Sequence, residues 1–329
     1  MAAAARVKLD PFLTAIVVAA LVASLLPAAG PGAQVLSVAT KVAIFILFFL
    51  YGARLHPEEA LRGLKHWKLH LTILSFTFVV FPLIGLAIGL LPGWALAPAL
   101  VPGMVYVTLC PSTVQSSINF TSIARGNVAG AIVSASASNL LGVFLTPLLA
   151  IALMNTTGTA NVGWGSIVDL VVQILLPFIL GQLSRRWTAD FVERHKKLKL
   201  FDQASIVMVV YAAFSQGVRE GIWTMVGWVD IVLLVVVCLV LLVLMLWLTW
   251  FTAKRLGFNR ADAIAIQMCG TKKSLATGLP MATVLFAGQP IGLIMLPLMV
   301  FHQAQLMACS WLAARYARDG EPDAAAVPA

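Results

Sequence analysis

The run Cys110-Pro111-Ser112-Thr113-Val114-Gln115-Ser116-Ser117-Ile118-Asn119-Phe120-Thr121-Ser122 lies in the middle of a long apolar region. A proline followed by a row of hydroxyl and amide side chains decides how this chain folds. Proline removes one helical hydrogen bond and clashes with the turn before it. Polar side chains at bilayer depth turn toward protein or a cavity, not toward acyl tails. If the region crosses a membrane, this helix is therefore interrupted halfway, and its Ser, Thr, Asn and Gln oxygens can hold a hard cation or a polar ligand. A plainer account is that the hydroxyls glue neighbouring helices together, as small polar residues do in membrane bundles.

The surroundings support a membrane. Of 329 residues, 60% are hydrophobic and 11% charged, against about 25% charged in soluble domains. Crossing about 30 Å of hydrocarbon takes roughly 20 mostly apolar residues. Cutting the chain where charge, Gly and Pro interrupt such runs gives ten segments, approximately 12–30, 35–54, 70–91, 97–123, 127–154, 164–184, 201–220, 228–253, 262–287 and 290–314. The first loosely fits a signal peptide, but equivalent runs recur along the whole chain, so it is read as the first span. The expectation is an all-α polytopic membrane protein with ten transmembrane helices.

The net charge of +9 would suggest a nucleic-acid partner in a soluble protein. Here the basic residues sit in short loops beside apolar runs, where they report topology. With the N-terminus inside, eighteen of the 22 Lys and Arg fall in cytoplasmic segments; only Arg219 falls outside, and Lys41, Lys272 and Lys273 lie within spans. Both termini are thus expected in the cytoplasm, the partner is the lipid bilayer, and the membrane is expected to be the plasma (inner) membrane. Residues 319–329, acidic and rich in Pro and Ala, read as a disordered cytoplasmic tail. The four cysteines lie within apolar segments without metal-ligand spacing and read as small packing residues.

A weak internal repeat divides the spans. Gly126-Asn127-Val128-Ala129-Gly130-Ala131-Ile132 is echoed by Gly288-Gln289-Pro290-Ile291-Gly292-Leu293-Ile294, and Cys110-Pro111-Ser112-Thr113 by Cys269-Gly270-Thr271-Lys272, at nearly the same offset. Each half, 1–154 and 155–318, would hold five spans. Because five is odd, the second half enters the membrane from the opposite side, so the repeat is inverted.

The ninth span then mirrors the fourth. Its run Gln267-Met268-Cys269-Gly270-Thr271-Lys272-Lys273-Ser274 sets two lysines beside a glycine in an otherwise apolar stretch. Burying an ammonium costs at least about 2.5–3.5 kcal/mol on insertion scales, so such residues usually face a cavity or a partner; the alternative places both in a loop. In the fifth span, Ser134 and Ser138 stand four apart on one helical face and either line the same cavity or form a packing seam. The ion- or substrate-binding candidates are Ser112, Thr113, Gln115, Ser116, Ser117, Asn119, Ser134, Ser138, Gln267, Thr271, Lys272, Lys273 and Ser274. Lys41 is read as snorkelling to the outer interface, Asp169 and Asp202 as interface anchors, and His302, Gln303 and Gln305 as weaker candidates.

Cys110-Pro111 followed by Ala124-Arg125-Gly126-Asn127-Val128-Ala129 resembles the bile acid:sodium symporter family, in particular its branch similar to the vertebrate member numbered seven, over nearly all ten spans. The run Gly270-Thr271-Lys272-Lys273-Ser274-Leu275 looks like that branch's second broken helix. The resemblance implies that the broken helices of spans 4 and 9 cross, that sodium binds nearby, and that organic anions enter between two helical domains. Carried over by motif, a sodium site falls on Ser116, Ser117, Asn119 and Gln267. Gln267 stands where the well-known bile acid carriers place an acid. An amide adds no negative charge, and Lys272 and Lys273 repel a cation at close range. Either a lysine ammonium substitutes for a bound cation, or the lysines bind the anionic group of the substrate.

The function expected is secondary active transport of a small organic anion, bile-acid-like or another carboxylate or sulfate, by cation-coupled symport with alternating access. No HExxH, GxSxG or Walker run supports an enzyme. A channel, or a non-transporting sensor or scaffold on the same fold, are the alternatives.

Overall fold

The computed structural model describes residues 11–54, 66–154, 164–195 and 197–319. The predicted tail beyond Asp319 and the basic loop residues in 55–65 lie outside them. Within them every regular element is helical. In chain order the longer ones are α1 (Pro11–Leu25), α2 (Gly30–Arg54), α3 (Trp67–Gly89, with a π turn at Phe76–Val80), α4 (Val101–Leu109) and α5 (Gln115–Ile123). Then come α6 (Val128–Leu149, running into a π turn at Ala150–Met154) and α7 (Trp164–Leu170 and Leu176–Arg194, joined by the π turn Val171–Leu175). The chain finishes with α8 (Leu198–Arg219), α9 (Trp228–Arg255), α10 (Arg260–Gly270), α11 (Leu275–Leu285) and α12 (Ile291–Arg318).

Seven of these helices are long and apolar enough to cross a membrane, and the protein is an integral membrane protein. In α9, Val240, Val243 and Trp247 are 58–64% exposed. A water-soluble protein rarely exposes so continuous an apolar face; in lipid it is the outer wall.

The structure differs from the predicted bounds at the first and sixth segments, and it divides the fourth and ninth, which were expected to be broken. The first predicted segment forms a helix only over Pro11–Leu25, 15 residues. The fourth and ninth each form two helices, of 9 and 9 and of 11 and 11 residues, each piece about 14–17 Å long at 1.5 Å per residue. The predicted sixth segment instead continues well past its expected end, to Arg194.

α2 and α7 cross with their backbones touching. A Cβ on Gly52 would lie 2.0 Å from the carbonyl oxygen of Phe178, and one on Gly181 2.0 Å from that of Phe49; small residues permit this approach where lipid supplies no hydrophobic force between helices. An Arg54–Asp202 ion pair, the predicted anchor Asp202 among its partners, ties the end of α2 to α8. Against this group pack the interrupted helices and α12, with Tyr51 of α2 donating to the Ala276 carbonyl of α11 at 3.4 Å. The four cysteines are buried and free.

Candidate functional site

The interruption between α4 and α5 begins at Cys110, where the backbone turns extended (φ −66°, ψ 150°). The interruption between α10 and α11 ends at Ser274, also extended (φ −81°, ψ 115°), whose Oγ caps α11 by accepting from the Thr277 amide. Unwinding leaves amides and carbonyls without helical partners, and burial without partners would cost ~1–3 kcal/mol apiece. The two interruptions satisfy each other. The Ser274 amide donates to the Pro111 carbonyl at 2.8 Å, and Ser112 Oγ donates to the Cys269 carbonyl at 2.7 Å.

α6 braces both. Ser138 Oγ accepts from the Ser112 amide at 3.0 Å, and Thr146 Oγ1 donates to the Leu109 carbonyl at 2.8 Å. Asn139 spans the pair: its Nδ2 donates to the Ser112 carbonyl at 2.6 Å, while its Oδ1 accepts from Thr277 Oγ1 at 2.9 Å. Close approach is built in at Gly142, where a Cβ would meet Pro111 at 2.5 Å, and at Gly278, where one would meet Cys110 Sγ at 2.9 Å.

The predicted candidates separate into distinct groups. Ser112, Thr113 and Ser117 are buried, with Thr113 Oγ1 at 2.6 Å from Ser116 Oγ and 3.1 Å from Ser117 Oγ. Gln115 and Asn119, four apart on α5, are exposed. Ser134 is fully buried and pairs with His70 of α3 at 2.7 Å, and Ser138 is fully buried at its Ser112 amide, so this face of α6 braces the fold. Thr271 Oγ1 donates back to the Gln267 carbonyl at 2.7 Å. The side-chain amide of Gln267 is engaged at both ends: Nε2 donates to the Leu246 carbonyl at 2.8 Å and Oε1 accepts from Tyr316 at 2.9 Å. Its bonds therefore run to α9 and α12, and not to the α5 hydroxyls.

Lys272 and Lys273 occupy the second interruption and are both fully buried; they do not lie in a surface loop. Lys273 Nζ donates to three backbone carbonyls: Thr108 at 2.8 Å, Cys110 at 2.8 Å and Thr77 at 3.1 Å. The Phe81 ring lies 4.1 Å away. Its backbone is pinned by Gln305, whose Oε1 accepts from the Lys273 amide and whose Nε2 donates to the Lys273 carbonyl, each at 2.8 Å, with His302 Nδ1 3.1 Å from the same carbonyl. Lys272 Nζ has no such set. It sits 3.9 Å over the Phe120 ring of α5, beside the thiols of Cys309 and Cys269, and no oxygen acceptor reaches it among the described residues.

Sequence reasoning did not single out Thr77, Thr108, Thr277 or Tyr316. Thr77 contributes a carbonyl that the π turn of α3 frees from the helical ladder, and nothing in an apolar run announces a π turn. Thr277 had a signal in its position three after Ser274, the spacing of a helix cap.

A second feature lies toward the far end of α11. A cavity of about 250 Å³ opens between α2, α7, α8 and the end of α11, with Lys41, Asp169, Gln173, Ser215, Arg219 and Thr283 on its wall. Ser215 Oγ there is buried and has no hydrogen-bond partner among the described residues.

Apolar helices that bury two interrupted helices against each other, with charge at the meeting point, define a membrane transporter. The model of the SBF-like CPA transporter family matches residues 10–318. The chain belongs to that family, and it is not an enzyme. It is 48% identical to "Putative symporter YfeH" of Escherichia coli over 95% of this chain and 94% of that one. It is also 48% identical to a Pseudomonas aeruginosa protein named only as uncharacterized, over 97% and 96%. Sodium/bile acid cotransporter 7 of Rattus norvegicus is 31% identical over 93% of this chain and 92% of its own. The resemblance stated from the Arg125-Gly126-Asn127 run thus holds.

Proposed function

We propose that this protein is a secondary active transporter of a small organic anion, working by alternating access, with Lys272 supplying the countercharge at the crossing of the two interrupted helices. One observation carries this reading: a fully buried lysine ammonium at the meeting point has no oxygen acceptor among the described residues and only thiols beside it. Burying an unpaired ammonium is costly, and a carboxylate or sulfate arriving beside it would offset that cost. The name of the sodium/bile acid cotransporter relatives supports an organic anion. The cavity, with Lys41 and Arg219 against the single carboxylate of Asp169, supports a route by which an anion reaches the crossing, since an excess of positive charge in a cleft concentrates anions.

On this reading the chain makes ten crossings as two inverted halves, 1–154 and 155–318, with α4–α5 and α10–α11 as corresponding broken, crossing helices and both termini in the cytoplasm at the plasma (inner) membrane. Sodium does not fit the residues suggested for it. The Gln267 amide is engaged by Leu246 and Tyr316, and the two carboxylates buried among the described residues lie elsewhere, Asp202 with Arg54 and Asp262 with Asn127 and Asn259. No negative ligand among the described residues balances a sodium ion beside two ammonium groups.

The test is uptake of labelled bile acids and small carboxylates into proteoliposomes, with and without a sodium gradient. Saturable uptake that persists without sodium is expected. Uptake that never saturates would indicate a channel, and absence of flux for every anion a sensor or scaffold.

A further inference from the structure

Three carbonyl oxygens converging on one point from two elements are the chemistry of a monovalent-cation site. Backbone carbonyls replace the hydration shell of alkali ions in this way, and an aromatic face adds attraction for a positive charge. Around Lys273 Nζ, Thr77 contributes from the π turn of α3, Thr108 and Cys110 from the end of α4 where it unwinds, and Phe81 roofs the site at 4.1 Å. A neutral amine has two N–H donors, whereas an ammonium has three, and there are three acceptors. None of these carbonyls carries a formal charge, so the cage attracts a single positive charge without a carboxylate.

We infer that the chain carries its cation with it: the carbonyl cage of Thr77, Thr108 and Cys110 is a site for an ammonium-sized monovalent cation, and the Lys273 ammonium is its permanent occupant. The side chain holds the first interruption in place at the point where a diffusible ion would have to, and it does so at fixed occupancy. Gln305 fixes the backbone from which the ammonium reaches, gripping both the amide and the carbonyl of Lys273. Because the cage is built from backbone, truncating the lysine deletes none of its walls and vacates only the centre. This inference does not depend on the identity of the transported molecule.

The test uses the purified full-length protein in detergent and follows its thermal unfolding midpoint at constant ionic strength. Wild type is expected to unfold at the same temperature in sodium, potassium and N-methylglucamine chloride, since its cage is already filled. Lys273→Ala and Lys273→Met are both expected to unfold at lower temperature. Only Lys273→Ala leaves room in the cage, so only this variant should regain stability in millimolar ammonium or methylammonium chloride, saturably. Lys273→Met sets a methyl group at the mouth of the cage, which blocks entry, and should not respond. The inference is overturned if wild type is stabilised specifically by sodium. It is equally overturned if the Ala variant is unresponsive or unfolded in every small monovalent cation, or if the Met variant is rescued as well as the Ala variant.

Discussion

Lys272 and Lys273 are neighbours in sequence, identical in side chain and equally buried, yet the fold treats them in opposite ways. Lys273 reaches across the first interruption and gives its three donors to Thr77, Thr108 and Cys110. Lys272 reaches toward α5 and finds the face of Phe120 and two thiols, which are weak acceptors. The two side chains leave the non-helical stretch between α10 and α11 toward different elements, Lys273 toward α3 and α4 and Lys272 toward α5. One side meets unwound backbone, rich in carbonyls; the other meets the side-chain surface of an intact helix. Burial therefore says little about what a membrane lysine does, and the acceptors around it say much more.

The comparison breaks most visibly if the two lysines respond alike to the same substitution. Lys273→Met strands three buried carbonyls at once and is expected to lower stability by at least about 1–3 kcal/mol, the cost of one buried polar group left unsatisfied. Lys272→Met removes a buried ammonium that lacks an oxygen acceptor, so stability is expected to stay level or rise. Thermal unfolding of the two variants side by side measures this. Equal losses would mean that Lys272 has a structural partner of the same worth.

The same pair inverts in a transport assay. Lys272→Met is expected to weaken binding of the transported anion by about 2–5 kcal/mol, the cost of losing one partner of a buried charge pair, which is roughly 30-fold or more in affinity. Uptake by a folded Lys272→Met variant with unchanged KM and maximal rate would remove the lysine from the substrate site.

How much of this could be read in advance depended on whether polarity interrupted apolar sequence. Pro111 with its hydroxyl neighbours and Lys272-Lys273 beside Gly270 stand out from their surroundings, and both interruptions fall there. Their mutual capping was less legible, because the partners are backbone atoms, the Pro111 and Cys269 carbonyls, of a kind that every residue possesses. The division of labour between the lysines was illegible for the same reason, since it rests on the carbonyls of Thr77, Thr108 and Cys110. Gln267 was recognised as a neutral residue at an expected acid, but its bonds to Leu246 and Tyr316 join helices far apart in sequence. The short first helix was overestimated because apolar residues continue to Leu26 and Ala29, where Pro27, Gly30 and Pro31 set the stop only approximately.

Asn139 sharpens the comparison by testing whether the two interruptions act as one unit. Asn139→Leu removes the donor to the Ser112 carbonyl and the acceptor for Thr277 and is expected to cost ~1–3 kcal/mol. If the interruptions are coupled, combining it with Lys273→Met costs less than the sum of the two single losses, since both variants release the same strand of backbone around Cys110–Ser112; a double-mutant cycle on unfolding midpoints reports this. Strict additivity would mean that the carbonyl cage and the α6 brace hold their segments independently.

The smallest effect concerns the distant cations. Lys41 and Arg219 line the cavity beside α11, where solvent screens them as it does not screen Lys272. Surface charges contribute ~0.2–1 kcal/mol, so Lys41→Gln is expected to raise KM for the anion by at most about five-fold. Raising ionic strength from about 0.01 M to 0.15 M shortens the screening length from about 30 Å to 8 Å, and the difference between Lys41→Gln and wild type should shrink accordingly. The effect of Lys272→Met, arising from a charge with no water around it, should persist at either salt concentration. An anion whose KM ignored both Lys41 and salt would reach the crossing by some path other than this cavity.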